Sequence, residues 1–175
     1  MPEENSPSFD AKSEWRDDRT TFQRVYDVLV GTHEPAPAKS YAEWADCSVN
    51  GARDALSQLV DMGVAERTDT RPATYKRNPS YFTWKRVETL AREYSVSELQ
   101  QKVDELIDED DALQAKYGVP DPDAVVVDES ATHEEIHERW DDLSEWRTIR
   151  RDISVLQQAV QRAESRNSDR AHAEP

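Results

Sequence analysis

The residues His133, Glu134, Glu135, Ile136 and His137 satisfy the pattern H-E-x-x-H. Two histidines four residues apart share one helix face and suit zinc, and Glu134 would stand where a general base is needed. The surroundings argue against a hydrolytic centre. Glu135 is charged where such helices are usually apolar, and carboxylates recur around the turn. A 20.1 kDa chain with 36% hydrophobic residues has no sheet or cleft to spare for the site. The pattern therefore reads as a solvated helical turn, and no metal or cofactor is expected. The adjacent acids Asp110 and Asp111, and Asp141 and Asp142, read as solvated helix surface. Cys47 is the one cysteine, which excludes an intrachain disulfide, agrees with a reducing compartment, and reads as a small buried residue. No glycine-rich phosphate loop and no activated serine is present. The expectation is a binding protein, not an enzyme.

The residues suited to binding lie elsewhere. Ser48, Asn50, Gly51, Arg53, Asp54 and Ser57 fall at the start and along the exposed face of a helix expected over 49–62. Arginine can pair bidentately with guanine and asparagine with adenine, each worth about 1–3 kcal/mol of discrimination. Arg67, Arg71, Lys76 and Arg77 follow, then Lys85 and Arg86. Six basic residues against one acid between 67 and 86, in a chain of net charge -15, point to a polyanionic partner. Asp54, with Asp46 and Asp61, pulls the other way. These carboxylates would read cytosine amino groups, bridge to phosphate through a cation, or mark a protein-contact surface without DNA binding.

Several elements must position these side chains. Thr20 and Gln23 form a capping box, and Phe22, Val25, Tyr26, Leu29 and Val30 keep helical period up to Gly31. The stretch 32–39, with Pro35 and Pro37, reads as a loop. Ser40 and Glu43 form a second box opening a short helix that would bury Tyr41, Trp44 and Ala45. Ser48 caps the helix over 49–62, whose inner face is Val49, Ala52, Leu56, Leu59 and Val60. Gly63 ends it where positive φ is favoured. Two β-type stretches, 64–68 and 74–78, flank a turn containing Pro72. Beyond Pro79 the chain is helical, with Trp84, Val87, Leu90, Ala91 and Tyr94 on one face. Ser95 and Glu98 cap a further helix running to Gly118. A linker over 119–131 leads to Thr132 and Glu135, which open the last helix.

The run from Ala42 to Arg67, with Ala45 where a support helix packs closely, Ser48 at the cap, Leu56 and Leu59 on the docking face, Gly63 at the turn and Tyr75 on the returning strand, resembles the helix-turn-helix of winged-helix transcriptional regulators. The overall shape is similar to ArsR/TrmB-like regulators of haloarchaeal type. The resemblance covers about residues 20–86. It implies a mainly α fold with a small β hairpin, sequence-specific binding of double-stranded DNA through a recognition helix and a basic wing, and helical extensions that dimerise. The alternative is a winged-helix interaction module that binds no DNA. The resemblance leaves open any small-molecule effector.

The expected organisation is a tail over 1–19, the winged domain over 20–86, a helical extension over 87–118, the linker over 119–131, a coiled-coil-like helix over 132–166 and a tail over 167–175. Ile136, Trp140, Leu143, Trp146, Ile149, Ile153, Leu156, Val160 and Ala163 form the seam of that last helix. Such a stripe needs a partner, and a homodimer is expected. The five tryptophans read as core and interface anchors. Acid excess, with arginine far more frequent than lysine and a mean hydropathy of -0.94, fits a surface kept soluble in very strong salt. No apolar run approaches the roughly 20 residues needed to span a bilayer, and the start has no signal-peptide pattern, so a cytoplasmic protein is expected.

Overall fold

The computed structural model describes residues 18–126 and 132–173, so residues 1–17 of the tail expected over 1–19, and part of the linker, 127–131, lie outside the described residues. The chain is mainly helical with one small antiparallel sheet, and it divides into two compact units between Phe82 and Thr83.

In the first unit, α1 (Thr21–Gly31) begins at the Thr20/Gln23 capping box. The two-residue strand β1 (Ala36–Pro37) follows, then α2 (Ala38–Trp44) and α3 (Val49–Asp61). Strands β2 (Ala65–Thr68) and β3 (Thr74–Arg77) close the unit. The sheet order is β1-β3-β2, with Ala36 opposite Tyr75 and Arg67 opposite Tyr75 on its other side. Two expectations for this stretch need correction. β1 lies inside what reads as a loop, and α2 starts at Ala38 with Pro37 at its cap, so Ser40 and Glu43 do not cap it. A proline is tolerated in β1 because it is an edge strand, where a missing N–H removes no central ladder bond.

The core of this unit is apolar: Val25, Leu29, Tyr41, Ala45, Ala52, Leu56, Leu59 and Val64 are buried together. Its inner helix faces follow the 3.6-residue period with two corrections: Trp44 is 49% exposed and only edges onto Tyr41, and Val49, expected on the inner face of α3, is 39% exposed. Tyr41 OH reaches across the core to the Tyr75 carbonyl at 3.1 Å, and burial pushes its pKa up to about 12. Gly63 has φ +73, as the exit from α3 requires.

The helix α4 (Pro79–Glu93) begins in the first unit and ends in the second. In the second unit, α5 (Val96–Tyr117) starts at the Ser95/Glu98 capping box and stops at Gly118, φ +66. A 3-10 turn at Pro122–Ala124 leads on, and α6 spans His133–Ala173. Thr132 and Glu135 bond each other's backbone N–H at the start of α6, as the sequence predicts. The helix runs well past 166, into residues expected as a tail.

Part of the α6 seam is covered within the unit, while Trp140 is left exposed. Val87, Ala91, Leu99 and Val103 pack with Val155, Leu156, Ala159 and Ala163 in one cluster. Helix α6 therefore lies against α5 and the end of α4, which cover that part of the stripe. Val155 and Ala159, outside the expected seam, are buried because two helices covering one need a wider stripe than a two-stranded coil. Trp140 and Trp84 are 62% and 58% exposed, so of the four described tryptophans only Trp146 is a core anchor.

Charge also ties this unit together. Asp110, expected as solvated surface, is buried and accepts hydrogen bonds from Trp146 Nε1 at 2.6 Å, Arg150 Nε at 2.8 Å and Gln114 Nε2 at 2.5 Å. Burial opposes its ionisation, but the bonds from Arg150, Trp146 and Gln114 outweigh it and hold the carboxyl below its ordinary range. Asp142 accepts from Lys116 Nζ and Tyr117 OH, each at 2.5 Å, and is lowered by those bonds. Arg162 pairs with the buried Glu88, and Arg166 donates to the Ala91 carbonyl at 3.1 Å. No helix among the described residues is long and apolar enough to cross a membrane.

Candidate functional site

The exposed face of α3 does not stand alone. It borders an open groove of about 500 Å³ in the first unit, lined by Lys39 of α2, by Val49, Arg53 and Ser57 of α3, and by Arg67 and Tyr75 of the sheet, with Pro37, Ala38, Pro72 and Ala73 completing it. Three of these residues are cationic and none of the lining residues is acidic.

Each wall follows from local chemistry. Ser48 is the cap of α3, its extended backbone at φ -69 and ψ 151 letting its Oγ accept the Gly51 N–H at 3.0 Å. Ala52, Ala55, Leu56 and Leu59 turn inward and leave Asn50, Arg53, Asp54 and Ser57 exposed. Asn50 Oδ1 accepts from Arg53 Nη1 at 3.1 Å, so these two exposed side chains hold one another. The opposite wall exists because β2 and β3 pair in register from Ala65–Arg77 to Thr68–Thr74. The connection between them contains a cis peptide bond before Pro72.

A buried arginine fixes the turn into α3. Arg24 is 7% exposed and its Nη1 donates to the Asp46 carbonyl at 3.1 Å. Asp46 has φ +49, the left-handed region, in the turn between α2 and α3. The neighbouring Cys47 thiol is pushed up by burial, against a smaller opposing effect of Arg24, which keeps it in the thiol form and agrees with a packing role. Sequence reasoning missed Arg24 and Lys39. The first had a signal, a charge beside Val25 on the apolar side of α1; the second lay in what read as a loop.

The sequence-predicted residues divide. Ser48, Asn50, Arg53, Ser57 and Arg67 stand at or beside the groove. Gly51 does not face it: a Cβ there would come within 3.1 Å of Ser48 Oγ and 3.3 Å of Thr21 Cγ2, so glycine serves the close approach of α3 to α1. Asp54 is exposed but outside the lining, as is Arg71 in the turn between the strands. Lys76 Nζ pairs with Glu66 across the ribbon at 3.2 Å. Arg77 turns inward, donating to the Val30 carbonyl at 3.1 Å with its guanidinium 4.5 Å from the Phe82 ring centre. Arg86 is engaged with Asp152 at 3.2 Å. The basic run of 67–86 is thus not one surface, and the cations gathered in the groove are Lys39, Arg53 and Arg67.

No curated protein and no solved structure matches this chain. One family does, over residues 19–164, which takes in both units. The chain belongs to the family of unknown function DUF7342.

Proposed function

We propose that the protein is a sequence-specific regulator of transcription that binds duplex DNA. In this reading the first unit is a winged helix-turn-helix of ArsR/TrmB-like type, with α2 as support helix, α3 as recognition helix and β2–β3 as wing. The observation that carries it is the groove in which Arg53 and Ser57 of α3 share one acid-free lining with Lys39 and Arg67. A three-turn helix fits the major groove, cations beside it neutralise phosphates, and Asn50 and Arg53 offer base-edge hydrogen bonds.

Selection of bound duplexes from a random pool, with wild type and Arg53→Ala compared in strong KCl, tests the reading. Arg53→Ala should enrich a less defined motif, by about 1–3 kcal/mol at one position. A pool that shows no enrichment with wild type would end it.

The homodimer remains part of the proposal, because two copies would present two recognition helices to half-sites about 34–36 Å apart. Its interface must use surface other than the buried part of the α6 stripe. The solution mass of the full chain in strong salt decides it. A second reading, a protein-interaction module, draws on Trp44 and Met62, which are 49% and 62% exposed in the same unit as Asp54 and Asp61. It predicts capture of no duplex at any salt concentration.

A further inference from the structure

The H-E-x-x-H pattern lacks the parts of a hydrolase, yet its two histidines are not independent. His133 Nε2 and His137 Nε2 lie 3.1 Å apart, with the rings nearly perpendicular at 86° and their centres 4.5 Å apart. We propose that this pair is a bidentate imidazole site for a late divalent transition cation of the Cu²⁺, Ni²⁺ or Zn²⁺ class, formed on the first turns of α6.

The separation of the two nitrogens is within reach of such a cation. With metal–nitrogen bonds of about 2.0–2.1 Å, a 3.1 Å separation between donors corresponds to an N–metal–N angle of about 95–102°. That lies between the cis positions of a square plane and the corner of a tetrahedron, the geometries of Cu²⁺ or Ni²⁺ and of Zn²⁺. Without metal, one Nε2–H donates to the lone pair of the other ring. For both nitrogens to face a cation, that proton moves to Nδ1 of the same ring, so the neutral pair binds metal with no net proton released.

The position is prepared in two further ways. The Thr132/Glu135 capping box, with bonds of 2.8 Å and 3.4 Å, fixes the helix turn that carries His133. Glu134, Glu138 and Asp141 are exposed on the same stretch of helix and raise the local concentration of cations. Both rings are exposed, so a bound ion keeps open coordination positions for water. Among the described residues no group of three or more His, Cys, Asp or Glu could hold a metal. The site is therefore one of two protein ligands, suited to an ion that binds and exchanges and not to a permanently caged one.

The test titrates the full chain with Cu²⁺, Ni²⁺ and Zn²⁺ by calorimetry in a non-coordinating buffer with strong KCl, beside His133→Gln and His137→Gln. The wild type should take up one equivalent with Cu²⁺ tightest. Each variant should bind that equivalent at least tenfold more weakly, because either change destroys the chelate. Both should keep wild-type helicity, since neither ring is buried. Excess Mg²⁺ should not displace the ion, because imidazole is a poor ligand for hard cations. Equal binding by wild type and both variants, displacement by Mg²⁺, or no uptake by the wild type at millimolar cation would each overturn the proposal.

Discussion

Leu56 and Trp146 are both fully buried, one in each unit, yet their neighbourhoods differ in kind. Around Leu56 the core is aliphatic and aromatic, and the polar ties run mostly to backbone carbonyls, from Tyr41 to Tyr75, Arg24 to Asp46, Arg77 to Val30 and Asn78 to Gly63. Around Trp146 the indole stacks on Tyr117 and donates to Asp110, which Arg150 also holds, while Arg150 reaches Asp121 at 2.6 Å. The first unit buries a single charged side chain, Arg24, among its described residues, and leaves other cations at its groove. The second, built from a segment dense in carboxylates, uses some of them as the acceptors that join its helices. An acidic composition thus does two jobs here, solvation and internal pairing, and the two should respond differently to mutation, acid and salt.

Trp146→Ala should have the largest effect, about 3–5 kcal/mol, since it opens a cavity and removes a donor from a buried carboxylate. Leu56→Ala should cost about 2–5 kcal/mol in the first unit by cavity formation alone. Denaturant unfolding followed by circular dichroism measures both. If Trp146→Phe, which keeps most of the volume, restores full stability, the Asp110 bond is dispensable and the contrast between the units fails.

Asp110→Asn should cost about 1–3 kcal/mol, by taking a charged partner from Arg150. The pH dependence has a definite sign. A carboxyl lowered by folding stabilises the native state above its ordinary value of 3.8, and that stability is lost as pH falls through the depressed folded value. Asp142 acts in the same direction. Acid unfolding should therefore begin below about pH 4–5, be steeper in wild type than in Asp110→Asn, and affect Trp146 fluorescence early. A variant with the wild-type acid profile would remove Asp110 from the account.

Lowering KCl should loosen the second unit first, because residues 88–145 hold nineteen acidic residues against four basic ones and dilute buffer leaves them unscreened. Helix loss by circular dichroism from about 3 M to about 0.05 M KCl is the measurement, and an unchanged spectrum would contradict it. The smallest effect belongs to the β2–β3 ribbon. Lys76→Ala breaks a partly exposed pair with Glu66 and should change stability by about 0–1 kcal/mol.

Much of this arrangement is legible in the sequence wherever one local signal is enough. The boxes at Thr20, Ser95 and Thr132, the cap at Ser48 and the left-handed glycines 63 and 118 all stand where residue type and spacing place them. What stayed hidden depends on contacts far along the chain. A two-residue strand containing proline has no period, so β1 is visible only through its pairing with β3. That α5 and the end of α4 cover part of the α6 seam is visible only in the fold. Asp110 reads as surface because Trp146 and Arg150, which hold it, lie 36 and 40 residues away. In the groove, Arg53 and Arg67 were visible as exposed cations. The inward turn of Arg77 and the presence of Lys39 required the fold.

The central proposal is that the groove between α3 and the β2–β3 ribbon binds duplex DNA. Its most direct test is the affinity of the full chain for a selected duplex over a series of KCl concentrations, for wild type, Lys39→Ala and Arg67→Ala. Each phosphate contact removed should lower the slope of log K against log salt by about 1 and weaken related and unrelated duplexes alike. Arg77→Ala should leave the slope unchanged, because that guanidinium is turned inward to the Val30 carbonyl. Loss of slope in Arg77→Ala with wild-type slopes in the other two, or no duplex binding by the wild type, would contradict the claim.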